Sequence, residues 1–304
     1  MLKAIVLSLT LTIPALAQTP RPAITGISHL TLFADNIPKS ESFYKDLLGW
    51  DQIPAIGANS GIRFYANHAQ YVELITPPKP NLADRLDSVA FATTDAEALR
   101  KYLAANGISV PNAVTVESNG DRTFEVRDPE NNKVQFTQPG SYPPAEPRNS
   151  SLRLSAHIMH AGYQVHNRAA LDHFYKDILG FHLYWQGGNP DTRIDWVMMQ
   201  VPNGTDWIEY MLYLPQHPTL AQLGSANHLA PGVVSVADLQ KKLEARGWKA
   251  PAGKNPQVLG VDGKMQLDLT DPDGTRVEFM EFIPIAKACC SAYTGTQPTP
   301  SDAW

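Results

Sequence analysis

Cysteine is nearly absent. The chain has two in 304 residues, and they are neighbours, Cys289 and Cys290. So few cysteines exclude a disulfide framework, and the strained geometry of a bridge between adjacent residues makes a bond between these two unexpected. A clip on the tail or an intermolecular bond is left open, and the sequence assigns the pair no role. There is no excess of basic charge either: 25 Lys and Arg stand against 30 Asp and Glu, a formal net charge of −5. With no basic patch carrying interleaved aromatics, nucleic acid is excluded as a partner. Beyond residue 17 no apolar run is long enough to span a membrane. No Gly-rich phosphate loop joins a strand to a helix, which argues against a dinucleotide fold.

The N-terminus carries an address rather than structure. Lys3 is followed by the apolar run AIVLSLTLTIPALA, and Ala15-Leu16-Ala17 offers the small-residue cleavage pattern of a secretory signal peptide. Residues 1–17 are expected to be removed after Ala17. Gln18 follows, so no lipidated cysteine would anchor the product, which is expected to be periplasmic or secreted with no membrane association. The apolar content of 43% suffices for real cores, and the remaining length suits two domains.

The chain is built on a repeat. ISHLTLFADNIPKSESFYKDLLG near the start and IMHAGYQVHNRAALDHFYKDILG in the middle are versions of one unit. In each, a histidine lies fourteen positions before the Phe of FYKD (29 to 43, 160 to 174). The first unit reads as a strand, HLTLFA, a helix from Pro38 to Leu48 closed by Gly49, and further strands near 62–65 and 71–75. A second unit starts near Leu86, with Asp95 capping a helix that stops at Gly107 and a strand pair around the turn Asp128-Pro129-Glu130-Asn131. The third and fourth units repeat the pattern, the last with a helix from Asp238 to Arg246 before Gly247 and the ending TDPDGTRVEFME. The expected fold is α+β: four βαβββ modules paired into two open-barrel domains, residues 24–140 and 155–284. A Pro- and Ser-rich linker, 141–154, joins them, and a polar, loosely ordered tail, 285–304, follows.

Aligning the modules on their first and last strands isolates the residues with chemistry. The first-strand position holds His29, Ser88, His160 and His228, and the last-strand position holds Glu73, Gln135, Glu209 and Glu278. A lone His or Glu in a strand is ordinarily an exposed-face residue, but four at repeat-equivalent places are not explained that way. The second-half set, His160, Glu209, His228 and Glu278, suits a divalent ion (Fe, Mn, Zn or Ni) with open positions for substrate. The first-half set, His29, Glu73, Ser88 and Gln135, makes a weak site at best. His157 has the wrong strand parity to join His160, and His166 lies at the strand's end. His173 and His182 read as surface or packing residues. His217, in the loop LPQHPTL, and Tyr210 are candidate acid–base residues beside Glu209 and Glu278. Tyr163 and Tyr213 are further phenols in cup-forming strands. Asp195 and Trp196 are placed at the mouth, Trp185 and Trp207 in the core.

FYKDLLG (43–49), FYKDILG (174–180), DPENNKVQF (128–136) and DPDGTRVEF (271–279) resemble segments of the vicinal oxygen chelate superfamily, which includes glyoxalase I, extradiol dioxygenases and bleomycin-resistance proteins. The resemblance covers about residues 24–283. It implies that paired modules curl into a cup whose metal ligands come from first and last strands. The implied function is a metal-dependent enzyme acting on a small molecule held through two neighbouring oxygens. Extradiol-type oxygenation on His160, His228 and Glu278, and isomerase or lyase chemistry with Glu209 or Glu278 as base, are both open. So is a non-catalytic small-molecule binder. Four modules in one chain allow a monomer or a homodimer.

Overall fold

The computed structural model describes residues 20–54, 61–79, 82, 84–140 and 150–302. The expected leader, 1–17, and residues 141–149 of the expected linker lie outside them. The first unit comprises β1 (Ile24–Phe33), α1 (Ile37–Glu41), β2 (Asp51–Pro54), β3 (Ile62–Tyr65) and β4 (Tyr71–Ile75). The second comprises β5 (Leu86–Thr93), α2 (Ala96–Ala105), β6 (Thr115–Val116), β7 (Arg122–Arg127) and β8 (Lys133–Gln138). The third comprises β9 (Ile158–Gln164), α3 (Arg168–Asp172), β10 (His182–Gly187), β11 (Trp196–Gln200) and β12 (Trp207–Met211). A short helix, α4 (Leu220–Ala226), leads into the fourth: β13 (Leu229–Val233), α5 (Val236–Ala245), β14 (Gln257–Leu259), β15 (Met265–Thr270) and β16 (Arg276–Glu281). The protein is an α+β fold of four βαβββ units.

The units pair into two curled eight-stranded sheets, β2-β3-β4-β1-β5-β8-β7-β6 and β10-β11-β12-β9-β13-β16-β15-β14. Strand alternation divides each sheet's two faces. Along β12, Ile208 and Tyr210 enter the main apolar core, while Trp207, Glu209 and Met211 face the concave side. The helices of the first and third units depart from expectation. Each is an α-turn that widens into a π-helical turn, Ser42–Leu47 and His173–Ile178. The amides of Leu48 and Leu179 reach back five residues to the carbonyls of Phe43 and Phe174. Gly49 and Gly180, at φ +75° and +77°, end these helices in the left-handed region.

The two recurring motifs explain each other. Asp128 and Asp271 fold their own Asp-Pro turns by accepting backbone amides, from Glu130 and Asn132 and from Asp273 and Thr275. Each aspartate also meets the buried FYKD tyrosine of the opposite half: Tyr44 donates to Asp271 at 3.0 Å and Tyr175 to Asp128 at 3.4 Å. The same turns reach the opposite first-strand ends, with Asp273 accepting from the Asp35 amide and Glu130 from the His166 amide. The motifs therefore sit at crosswise, pseudo-symmetric joints between the halves.

The tail corrects two expectations. Residues 285–302 form an extended strap pinned along the second sheet. The amides of Ile285 and Ala286 donate to Gly263 O, that of Cys289 to Val261 O, and that of Thr294 to Tyr184 O, while Gln200 Nε2 donates to Thr296 O. Tyr293 packs its ring 4.8 Å from that of Tyr184. A polar, aperiodic segment lacks the pattern that signals a strand, yet an existing sheet and its loops can still satisfy its backbone. Cys289 and Cys290, expected not to bridge each other, are disulfide-bonded to each other. The strap is held at Val261 on one side and turns tightly at Ser291, whose amide donates to Cys289 O, and this brings the two sulfurs together beside Gly188.

Candidate metal centre

Four side chains converge at the floor of the second sheet. His160 comes from the middle of β9, His228 from the residue before β13, Glu209 from β12 and Glu278 from β16, all buried. One ligand-type atom from each lies within 4.8 Å of all the others. His160 Nε2 is 3.0 Å from His228 Nε2, and Glu278 Oε2 is 3.2 and 3.1 Å from those two nitrogens. Glu209 Oε2 stands slightly further off, at 3.8 and 3.6 Å. Atoms each about 2.0–2.2 Å from one ion and at right angles are separated by about 3 Å, so the spacing fits a single divalent cation.

The chemistry of the donors agrees. His228 Nδ1 lies 2.7 Å from the carbonyl of Ala226, so it carries the ring proton and leaves the Nε2 lone pair facing the cluster. Burial lowers the pKa of His160 and, with the Arg276 guanidinium beside it, holds His228 down to about 4; both imidazoles are then in the neutral, ligating form. Burial and the neighbouring Glu278 charge push Glu209 well above the usual carboxylate range. The Arg276 guanidinium keeps Glu278 ionised, so the cost of confining two carboxylates falls on Glu209, and a divalent ion between them would remove it. The buried Nδ1 of His160 has no hydrogen-bond partner. Among the described residues the cluster is a group that could hold a divalent metal ion.

Two neighbours shape the cluster. Gly162 lets the His228 ring lie against β9, because a Cβ there would come within 2.1 Å of the imidazole. Arg276 donates from Nη1 to Glu278 Oε1 at 3.1 Å and from Nε to Ser225 O at 2.8 Å, so Glu278 turns its other oxygen to the histidines. Above the cluster opens a cavity of about 320 Å³, lined by Trp185, Trp196, Met198, Tyr213, Asp262 and others.

The sequence model described as Glyoxalase/Bleomycin resistance protein/Dioxygenase superfamily matches residues 26–136 and 157–279. The chain belongs to that superfamily. No curated protein matches it. Among solved structures, the Mn(II)-bound glyoxalase from Novosphingobium aromaticivorans is similar at 19% identity and a TM-score of 0.62, over 90% of this chain and 86% of that one. The E323L mutant of homoprotocatechuate 2,3-dioxygenase from Brevibacterium fuscum is similar at 17% identity and a TM-score of 0.65, over 91% and 75%. At such identities the likeness is one of fold.

Within this superfamily fold, the other sequence candidates separate clearly. Tyr210, expected at the site, is not there. It neighbours Glu209 in the same strand and so points to the opposite face, into the core near Tyr175. Tyr163 is in the same core by the same parity with His160. His217 is exposed in its loop and does not line the cavity. His157 bonds to Asp206 and the carbonyl of Thr299, away from the cluster. His166 contacts Gln164, His173 Asp177, and His182 Gln200. Trp196 lines the cavity, whereas Asp195 is buried against Arg193 and the Asn189 amide. Trp185, expected as core, also lines the cavity, and Trp207 stacks on His160 with centroids 4.8 Å apart. Sequence reasoning missed Arg276, although its two-residue offset from Glu278 puts both on one face of β16. It also missed Asp262, for which no periodic signal exists.

Proposed function

We propose that the protein is an exported, metal-dependent enzyme acting on a small molecule held through two neighbouring oxygens at His160, His228, Glu278 and Glu209. The observation that carries this reading is the convergence of those four side chains, with neutral imidazoles, beneath a cavity with aromatic and thioether walls. A divalent ion held there would supply Lewis-acid polarisation of a substrate oxygen. The protein's own residues would do the rest. Arg276 orients Glu278, the cavity walls bind the substrate's flat body, and Glu209, the loosest of the four, is placed to take a proton from a carbon next to a polarised oxygen. That assignment favours isomerase or lyase chemistry. The tighter grouping of His160, His228 and Glu278 supports a second reading, extradiol-type oxygenation on a two-His, one-carboxylate face. The site is assigned to residues 155–284, the second of two domains. Residues 1–17 and the joined cysteine pair support an oxidising compartment outside the cytoplasm.

The test is metal content of residues 18–304 purified without chelators, beside a His160→Ala/His228→Ala variant. The expected outcome is one bound equivalent, absent from the variant. Iron or manganese with O₂ uptake on catechols would select the oxygenase. Zinc or nickel with solvent-proton exchange into substrate would select the isomerase or lyase. No metal after reconstitution of the folded protein would overturn the enzyme reading and leave a binding protein.

A further inference from the structure

The cavity above the cluster carries a third buried carboxylate that the four-residue site does not use. Asp262 lines the same cavity as Glu209 and Glu278 and is 2% exposed. Its described partners are a backbone amide, that of Lys264 at 3.2 Å to Oδ1, and the hydroxyl of Tyr293 at 3.1 Å to Oδ2. A carboxylate has about four acceptor positions, so two such bonds leave acceptor capacity free. Neither nearby cation neutralises it by contact. Lys264 donates its ammonium to Phe282 O and lies 5.5 and 5.6 Å from the rings of Trp207 and Tyr293. Arg276 is engaged by Glu278, Ser225 and the face of His228. A buried carboxylate that lines the cavity with Trp185, Met198 and Trp196, and on which the Lys264 ammonium acts without touching it, gains from a donor brought by a ligand.

We propose that Asp262 is a specificity-determining residue of this cavity. It accepts a hydrogen bond from a donor, an ammonium best of all, carried by an aromatic substrate in the cavity that Asp262 shares with Glu209 and Glu278. The strap contributes Tyr293 as a positioning residue, since its hydroxyl reaches both the carbonyl, at 3.0 Å, and the carboxylate of Asp262. Substrates ending in a carboxylate are disfavoured by like-charge repulsion. Burial pushes the Asp262 carboxyl up to about 6, so it is ionised at neutral pH and the preference fades below about pH 6. The inference rests on the chelate reading above.

The experiment is calorimetric titration of the full mature protein, with its Mn(II) content verified, using three catechols. They share both ring hydroxyls and differ in the tail: ethyl, 2-aminoethyl or 2-carboxyethyl. The amine is expected to bind about tenfold tighter than the carboxylate at pH 7.5, with the ethyl compound between them. Asp262→Asn is expected to bring the ratio within about twofold while leaving the Mn(II) content unchanged. Tyr293→Phe, which keeps the ring stack and the carboxylate, should give an intermediate ratio, and it carries the test if Asp262→Asn does not fold. Metal-dependent binding of all three with a ratio that neither variant moves, or a preference for the carboxylate, would overturn this proposal alone. No metal-dependent binding of any of the three would also overturn this proposal, whereas native protein that takes up no Mn(II) would overturn the chelate reading and this proposal with it.

Discussion

The two halves of the chain carry one architecture and two different floors. At the second sheet's centre stand His160, Glu209, His228 and Glu278; the first sheet has His29, Glu73, Ser88 and Gln135 at the same register. His29 spends its ring on hydrogen bonds, with Nε2 3.0 Å from Gln135 Oε1 and Nδ1 3.1 Å from Ser28 Oγ. Glu73 lies 3.5 Å from Arg63, whose guanidinium sits over Tyr71. Burial and that guanidinium bring His29 down to about 3. One backbone contact adds to the difference. Thr31 pairs with Glu73 as Gly162 pairs with Glu209, so a Cβ occupies the place where the His228 ring lies in the second half. The comparison teaches that alternating apolar strands and the crosswise tyrosine–aspartate joints specify the fold, while the floor residues are free to be a ligand cluster or a closed hydrogen-bond network.

The largest effect that could break this comparison is loss of metal from the wrong half. His29→Ala/Gln135→Ala should retain the full bound equivalent, whereas His160→Ala/His228→Ala should hold none, as read by elemental analysis of folded protein. Metal lost from the first pair would mean that the halves are not separate in function. Next in size is Gly162→Ala, whose new Cβ must displace the His228 imidazole. Metal affinity should fall at least about tenfold, by analogy with misplacing a ligand through its supporting shell. The reverse experiment sharpens the point. Thr31→Gly/Ser88→His/Gln135→Glu should create a second, weaker equivalent only when Arg63→Met is added, because the guanidinium otherwise competes for Glu73.

Smaller effects are expected at the joints. Tyr44→Phe removes a buried 3.0 Å bond to a carboxylate and should cost about 1.5–3 kcal/mol in urea unfolding. Tyr175→Phe, at 3.4 Å, should cost less, about 1 kcal/mol. Equal losses would show that the geometric difference between the joints has no energetic counterpart.

How much of this was legible depended on whether a residue's role was written in a period. The βαβββ units and the four ligand-type residues follow from strand alternation and repeat register, and Arg276 was available from the same parity. Tyr210 was misread because that parity was not applied: neighbours in a strand cannot share a face. The π-helical widening was hidden, since FYKD reads equally well as an α-turn. The strap and Asp262 had no signal, because their positions are set by backbone hydrogen bonds to loops and sheet edges rather than by a hydrophobic pattern.

The smallest effect concerns how the strap is held to the second half, a device the first half lacks among its described residues. Both nitrogens of His157 face acceptors: Nε2 is 2.6 Å from Asp206 Oδ1 and Nδ1 is 3.0 Å from Thr299 O. A neutral imidazole has one N–H and can donate to only one of them, so with Asp206 ionised the arrangement calls for the imidazolium. Burial opposes that charge, but Asp206, Thr299 and Asp302 outweigh it and raise the His157 pKa. A raised folded-state pKa means the contribution is complete below the unfolded value, about 6.5, and is lost as pH climbs through the higher folded value. Hydrogen exchange across residues 294–302, corrected for intrinsic rates, should therefore show strap protection falling with rising pH above neutrality. His157→Gln, which can donate to only one region at a time, should show low protection at every pH. The strap would then be a partly independent element, opening below the global unfolding free energy. Protection that is flat with pH in the native protein would mean that His157 is neutral and that Tyr293 and the backbone bonds hold the strap without it.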